Sequence, residues 1–355
     1  MSTSMYPTLR NERCVRYRFR YSACSRCADV CPHEALTLSG EGAAIDQGQC
    51  RNCGLCVGAC PTAAFQSGDV PGATVVREAL ERGRCRFACR PSGAKGDQVV
   101  ACLGALDAAM LAYLAKRGVA VSLAGAGHCA QCAHAPKGDA RLMALLDAVA
   151  VLREKVGDEQ WTGVTLEDDA GDGFYRDQSA RRQFFRRLVG RRVAAAMVPE
   201  EHSAPVPARA VRAAAPYVPL ARELLSALWR EDARLPAHGM IFAGDMQPGE
   251  NCTGCELCER VCPTAAFRIS EQDGSWHLLF RSERCVGCGV CVEACQPGAL
   301  KAVEELAAPE AEPRLMKQLR RTRCERCGRI YLPVDDGDDC PACRDDIEDF
   351  NAIFG

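Results

Sequence analysis

Regular alternation of apolar and polar residues is concentrated in the middle of the chain. Asp97 to Cys102 holds the apolar run Val99, Val100, Ala101, which predicts a strand. Leu106 to Arg117 repeats apolar residues at helical spacing, Val119 to Gly125 reads as a second strand, and Ala140 to Lys155 as a long helix. Strand, helix, strand, helix is the order of a small α/β domain. Further on, Arg181 to Ala196 sets apolar residues at helical spacing among many arginines. Ser203 to Pro219 is rich in Pro and Ala and predicts an extended linker. Pro219 to Arg230 predicts a short amphipathic helix with proline at its start. The longest apolar stretch, Ala101 to Ala115, contains Asp107 and ends at Lys116 and Arg117, so no membrane span is expected.

Outside these segments the cysteines set the pattern. There are 25 Cys in 355 residues, in groups of eight (Cys14 to Cys60), five (Cys85 to Cys132), eight (Cys252 to Cys295) and four (Cys324 to Cys343). The net charge of −2 excludes a strongly basic nucleic-acid-coating protein or a polyacidic tail protein, and no nucleic-acid partner is expected. Hydrophobic residues make up 48%, against disorder throughout, but aromatic residues only 6%, which suggests small cores that need staples. Met1 to Arg13 has no apolar run, so no secretory signal is expected and the cytoplasm is the expected compartment. In a reducing compartment, dense cysteine means metal or redox chemistry rather than disulfides.

An internal repeat carries that chemistry. Cys50-x2-Cys53-x2-Cys56-x3-Cys60-Pro recurs as Cys252-x2-Cys255-x2-Cys258-x3-Cys262-Pro, both continuing Thr-Ala-Ala-Phe, and Cys285, Cys288, Cys291 and Cys295 follow the same spacing. Such a run supplies three thiolates to one [4Fe-4S] cube and the fourth to its neighbour. Cys252, Cys255, Cys258 and Cys295 are therefore expected to hold one cube, and Cys285, Cys288, Cys291 and Cys262 another. A zinc site is disfavoured, because four-Cys zinc sites use two Cys-x2-Cys pairs. The N-terminal run departs at one point: Cys24, Cys27 and Cys31-Pro are present, but Tyr21 stands at the first ligand position. Cys14 substitutes through a longer loop, giving the sets Cys14, Cys24, Cys27, Cys60 and Cys50, Cys53, Cys56, Cys31; a three-iron or site-differentiated cluster with Cys14 free stays open. Both regions, about 14–66 and 249–303, resemble the bacterial two-cluster ferredoxin family. The resemblance implies paired short hairpins and helices around two clusters, and low-potential one-electron transfer.

The middle segment combines Cys85, Cys89, Cys102 before Leu-Gly, Gly127-His-Cys129, Cys132 and the turn Lys137–Asp139. In this it resembles the delta iron-sulfur subunit of methyl-viologen-reducing hydrogenase. That resemblance implies one [2Fe-2S] cluster, held by four of the five cysteines, and a relay between a hydrogenase or formate dehydrogenase and a partner reductase. A zinc site or ordinary buried thiols are the alternatives. His128 and His134 flank the last pair and read as surface histidines. Near the C-terminus, Cys324-x2-Cys327-Gly and Cys340-x2-Cys343 can close a tetrahedral four-sulfur site. They resemble a zinc ribbon, with a rubredoxin-like iron site as the alternative.

The stretch from Ala180 to Arg186 resembles a twin-arginine signal but lies far from the N-terminus and reads as a basic amphipathic helix. Arg10, Arg13, Arg16, Arg18, Arg20 and Arg26 read as a solvated face or as steering toward an acidic redox partner. The expected architecture is α+β multidomain: a dicluster ferredoxin module (1–75), a small α/β five-cysteine domain (76–170), a helical and Pro/Ala linker (171–240), a second dicluster module (241–308) and a metal ribbon (309–355). The expected function is that of a non-catalytic electron carrier with four [4Fe-4S], one [2Fe-2S] and Zn or Fe, serving redox protein partners. The alternatives are a reductase with an open-iron cluster in the middle domain, or a regulatory or assembly metalloprotein.

Overall fold

The structure, a computed structural model, describes residues 6–157, 160–167, 217–333, 337, 339–340 and 342–344. The expected helix at 181–196, the twin-arginine-like stretch and the linker over 203–216 lie outside the described residues. Among those described, no helix is long and apolar enough to cross a membrane.

The middle of the chain forms a four-stranded parallel sheet. In spatial order its strands are Gln98–Val100, Arg84–Cys89, Ala120–Ala124 and Val164–Glu167. The helices Ala108–Lys116 and Lys137–Val156 stand where helical spacing put them. Arg84–Cys89, Val164–Glu167 and the helix Ala73–Arg82 were not expected. The first was overlooked because its cysteines read as a ligand pair. Its alternation, Arg84 out and Cys85 in, Arg86 half-out and Phe87 in, is that of a strand with one buried face.

Phe87, Leu111 and Leu123 are fully enclosed in the core between sheet and helices. Leu224, Leu225 and Leu228 of the helix Leu220–Leu228 join the same core. The expected short helix is therefore part of the parallel-sheet core rather than a free connector.

Asp107 caps the helix Ala108–Lys116, its Oδ1 accepting the Met110 backbone N–H at 2.9 Å. Burial pushes its carboxyl up to about 6. The folded state then binds the extra proton between about pH 4 and 6, so ionisation subtracts stability as pH rises through that window. Asp107→Asn keeps the cap acceptor and removes the charge. Its stability relative to the parent should rise from pH 5 to pH 7.5 by on the order of 1–2 kcal/mol, discounted because the side chain keeps some solvent contact. Thermal unfolding at several pH values checks this, and a difference that does not change with pH would refute it.

The two cysteine-rich regions are built from short antiparallel pairs. Leu36–Ser39 pairs with Gly42–Ile45, and Phe267–Gln272 with Ser275–Phe280. Arg314–Arg320, expected in the ribbon, adds a third strand beside Ser275–Phe280. Phe267, Trp276 and Phe280 fill the core of the second region, which also takes in Val15 from the short helix Val15–Arg18 of the first. The strand Thr8–Leu9 pairs with Phe65–Gln66, and Met246–Pro248 with Leu300–Ala302, closing each region.

Candidate metal centres

Three of the cysteine runs share one backbone device. Between their ligands the chain turns left-handed twice: at Asn52 (φ 51°) and Gly54 (φ 76°), at Gly254 (φ 66°) and Glu256 (φ 64°), and at Gly287 (φ 62°) and Gly289 (φ 81°). The reversals aim three Sγ atoms at one point. In these three runs and in the N-terminal one, the residue three beyond the last cysteine is left-handed again: Glu34, Ala63, Ala265 and Gly298. That turn brings the next backbone N–H onto the sulfur. Ala35 donates to Cys31 Sγ at 3.4 Å, Ala64 to Cys60 at 3.3 Å, Ala266 to Cys262 at 3.2 Å and Ala299 to Cys295 at 3.2 Å.

The thiols gather in crossed sets. Cys31, Cys50, Cys53 and Cys56 line one cavity, and Cys252, Cys255, Cys258 and Cys295 another. Cys14, Cys24, Cys27 and Cys60 lie within electrostatic reach of one another, as do Cys262, Cys285, Cys288 and Cys291.

Cys14 follows the 3-10 turn Asn11–Arg13 as Cys285 follows Ser282–Arg284. It therefore stands where Cys285 stands in the later run, with the helix Val15–Arg18 between it and Cys24. Tyr21 is an exposed ring, 71% accessible, with no part in the set.

Burial, with the neighbouring thiolates adding, pushes Cys27 and Cys258 up to about 12. Cys285 also rises to about 12, chiefly through burial. Sets of this kind hold protons at neutral pH until a cation replaces them. Four convergent sulfurs with N–H donors on them are the donor set a [4Fe-4S] cube takes, so the residues present fit the group.

In the middle segment Cys89, Cys102, Cys129 and Cys132 line one cavity at the C-terminal end of the parallel strands. Cys85 is not among them. It sits four residues before Cys89 on the same extended strand, which separates the two by about 13 Å at about 3.3 Å per residue. The neighbours raising its thiol, after burial itself, are Asp97 and Glu78 rather than cysteines. Cys85 packs in the sheet core as a small apolar residue.

His134, expected at the surface, is 8% exposed. Its Nδ1 lies 3.0 Å from His33 Nε2, and this imidazole pair sits beside Cys53, between the Cys53 cavity and the middle one. His33 lines the first cavity and His134 the second.

Cys324, Cys327, Cys340 and Cys343 bring their sulfurs within 4.8 Å of one another, close enough for one metal ion. The Cys340 backbone N–H donates to Cys324 Sγ at 3.2 Å and helps lower that thiol to about 7. All four ligate by sulfur, which suits Zn or Fe equally.

The sets touch in sequence. Cys53 and Cys102 share a small buried cluster with Leu55 and Ala105, joining the Cys53 set to the middle set. Cys56 and Cys27 lie within reach across the first region. Cys24 packs on the second region's core, as Cys262 and Cys288 do. Cys291 and Cys258 face each other across the second region. Finally, Leu332 of the C-terminal segment packs against Gly254 in the Cys255 loop.

Arg18 bridges the two regions. It is 3% exposed and donates to the carbonyls of Val261 at 2.9 Å, Arg260 at 2.7 Å and Cys262 at 3.3 Å. Sequence reasoning placed Arg18 on a solvated or steering face, and it missed the place of His33 between the two cavities. No motif marks these two; only the packing of distant segments does.

Residues 22–64 and 251–299 each match the family described as 4Fe-4S dicluster domain. The first match begins after Cys14, so that position lies outside the family's pattern. No curated protein matches the chain.

Proposed function

We propose that this iron–sulfur electron-transfer protein is a linear relay, passing single electrons from a catalytic oxidoreductase of the hydrogenase or formate dehydrogenase class to an acceptor reductase, or the reverse. Its architecture on this reading is α+β multidomain: two dicluster modules flank a small α/β domain, and a metal ribbon follows. The observation that carries it is the unbroken series of cysteine sets. The series runs from the middle set through the Cys53, Cys14 and Cys288 sets to the Cys255 set, with the C-terminal knuckle packed on its end. Each set abuts the next through a ligand or the loop that carries one. Two ferredoxin modules joined only by a tether would have no reason to bury Cys24 and Arg18 against the other's ligand loops.

In this reading Cys89, Cys102, Cys129 and Cys132 hold a [2Fe-2S] cluster, and the four crossed sets hold [4Fe-4S] cubes. The knuckle takes zinc and caps the Cys255 loop. The thiolates act as ligands, not nucleophiles. Four thiols around the middle site leave no iron without a protein ligand, which favours carriage over catalysis at that site.

Anaerobically purified protein should contain about 18 iron, about 18 sulfide and about one zinc per chain, with overlapping signals of spin-coupled clusters after reduction. A count near 8 iron with several zincs would leave a single dicluster unit on a zinc-stapled scaffold and would sink the relay. Capture of a hydrogenase or formate dehydrogenase subunit on the intact protein tests the partner class.

A further inference from the structure

The helix Val15–Arg18 and the helix Leu220–Leu228 belong to different parts of the chain, yet each sends a buried guanidinium to the same place. Arg18 donates to the Cys262 carbonyl and its two predecessors. Arg222, 1% exposed, donates to the Cys285 carbonyl at 2.8 Å and the Ser282 carbonyl at 2.7 Å. Cys262 and Cys285 are both ligands in the Cys288 set. A third cation, Arg26, comes within 3.5 Å of the Gly287 carbonyl in the same ligand loop.

Among the described residues, neither Arg18 nor Arg222 has a carboxylate within salt-bridge distance. Burying a cation without a partner is costly, so such groups are found paired. The negative groups within electrostatic reach are the thiols of that set, Cys262 and Cys288 at Arg18 and Cys285 at Arg222, where the Glu283 carboxylate adds a weaker attraction.

We propose that Arg18 and Arg222 are the counter-ions of the Cys288 cube and raise its reduction potential. This inference rests on the relay reading. Reduction of a thiolate-bound cube adds one electron, delivered by the neighbouring cube; no bond forms or breaks, and no proton need follow. The cube becomes more negative by one charge. Deep burial of Cys285 and Cys291 opposes that added charge, and fixed cations beside the ligand backbone offset it. Both arginines reach in from outside the second cysteine-rich region. The cube therefore acquires its working potential only when the first region and the helix Leu220–Leu228 are seated on it. They act by position and charge rather than as ligands.

The test is a redox titration of the full-length, iron-loaded protein followed by electron paramagnetic resonance. Arg18→Gln and Arg222→Gln should each lower the midpoint potential of one cube, the one whose signal changes in a Cys288→Ser variant. The other three should stay in place with iron content unchanged. Arg18→Lys, which keeps the charge, should restore most of the shift. Arg26→Gln, at a partly buried site with little structural burden, should give a smaller shift of the same sign. If Arg222→Gln fails to load that cube, the Arg18 and Arg26 variants decide. Full iron with unmoved potentials in those variants overturns the proposal and leaves the relay standing. Zinc or no metal at the Cys288 set of the parent protein overturns both.

Discussion

Cys102→Ser should cost the protein about two of its roughly 18 iron and the signal of the two-iron cluster, while the four cubes keep theirs. Cys102 is 7% exposed and lines the middle cavity with Cys89, Cys129 and Cys132. The segment's own spare thiol, Cys85, is held at the far end of its strand, and the neighbouring Cys53 faces the Cys31, Cys50 and Cys56 cavity. Electrons offered at that end by a protein donor should then reach the cubes much more slowly. Dithionite, a small reductant that does not depend on the middle site, should still reduce them. Cys85→Ser is the control and should keep every iron. Retained iron in the Cys102 variant together with lost iron in the Cys85 variant would invert the ligand assignment.

Gly58→Val should separate the first cysteine-rich region from the parallel-sheet core. A Cβ at Gly58 would meet the Ala105 carbonyl oxygen at 2.4 Å and its carbonyl carbon at 2.9 Å. These are backbone atoms of the turn Leu103–Ala105, directly after Cys102, so no flexible side chain can yield. Overpacking of this kind costs about 1–3 kcal/mol. Because the strain falls at the seam, it should appear first as lost magnetic coupling between the two-iron cluster and the Cys53 cube, at full iron content. Unchanged coupling and an unchanged unfolding midpoint would show that the two surfaces do not depend on this contact.

The crossed cube sets were legible in the sequence because ligand spacing and backbone turn are the same constraint. Cys-x2-Cys-x2-Cys can wrap a corner only if two of the intervening positions turn left-handed, and glycine occupies one or both in each complete run. Cys14 was legible as a neighbour of Cys24, Cys27 and Cys60 but not as the residue that leads into the helix Val15–Arg18. What that helix does is decided by Val15 and Arg18 docking more than 240 residues away in the chain. The middle site was half legible. Helical spacing found two helices. Cys85 and Cys89 looked like a pair until the strand between them pulled them apart. His134 looked polar and exposed because its partner, His33, comes from the first region. Long-range pairings of this kind leave no periodicity to read.

The exposure of the cysteines is uneven along the series. Cys255 is open to solvent, while Cys285 and Cys291 are 7% and 6% exposed. Oxygen and peroxide reach a cube through its accessible edge, so damage should begin at the Cys255 end and leave the interior intact. A chain that has lost its terminal cube would still carry the costly inner ones, each locked by ligands borrowed from its neighbour. Repair would then require iron and sulfide for one surface site, not the rebuilding of the whole molecule.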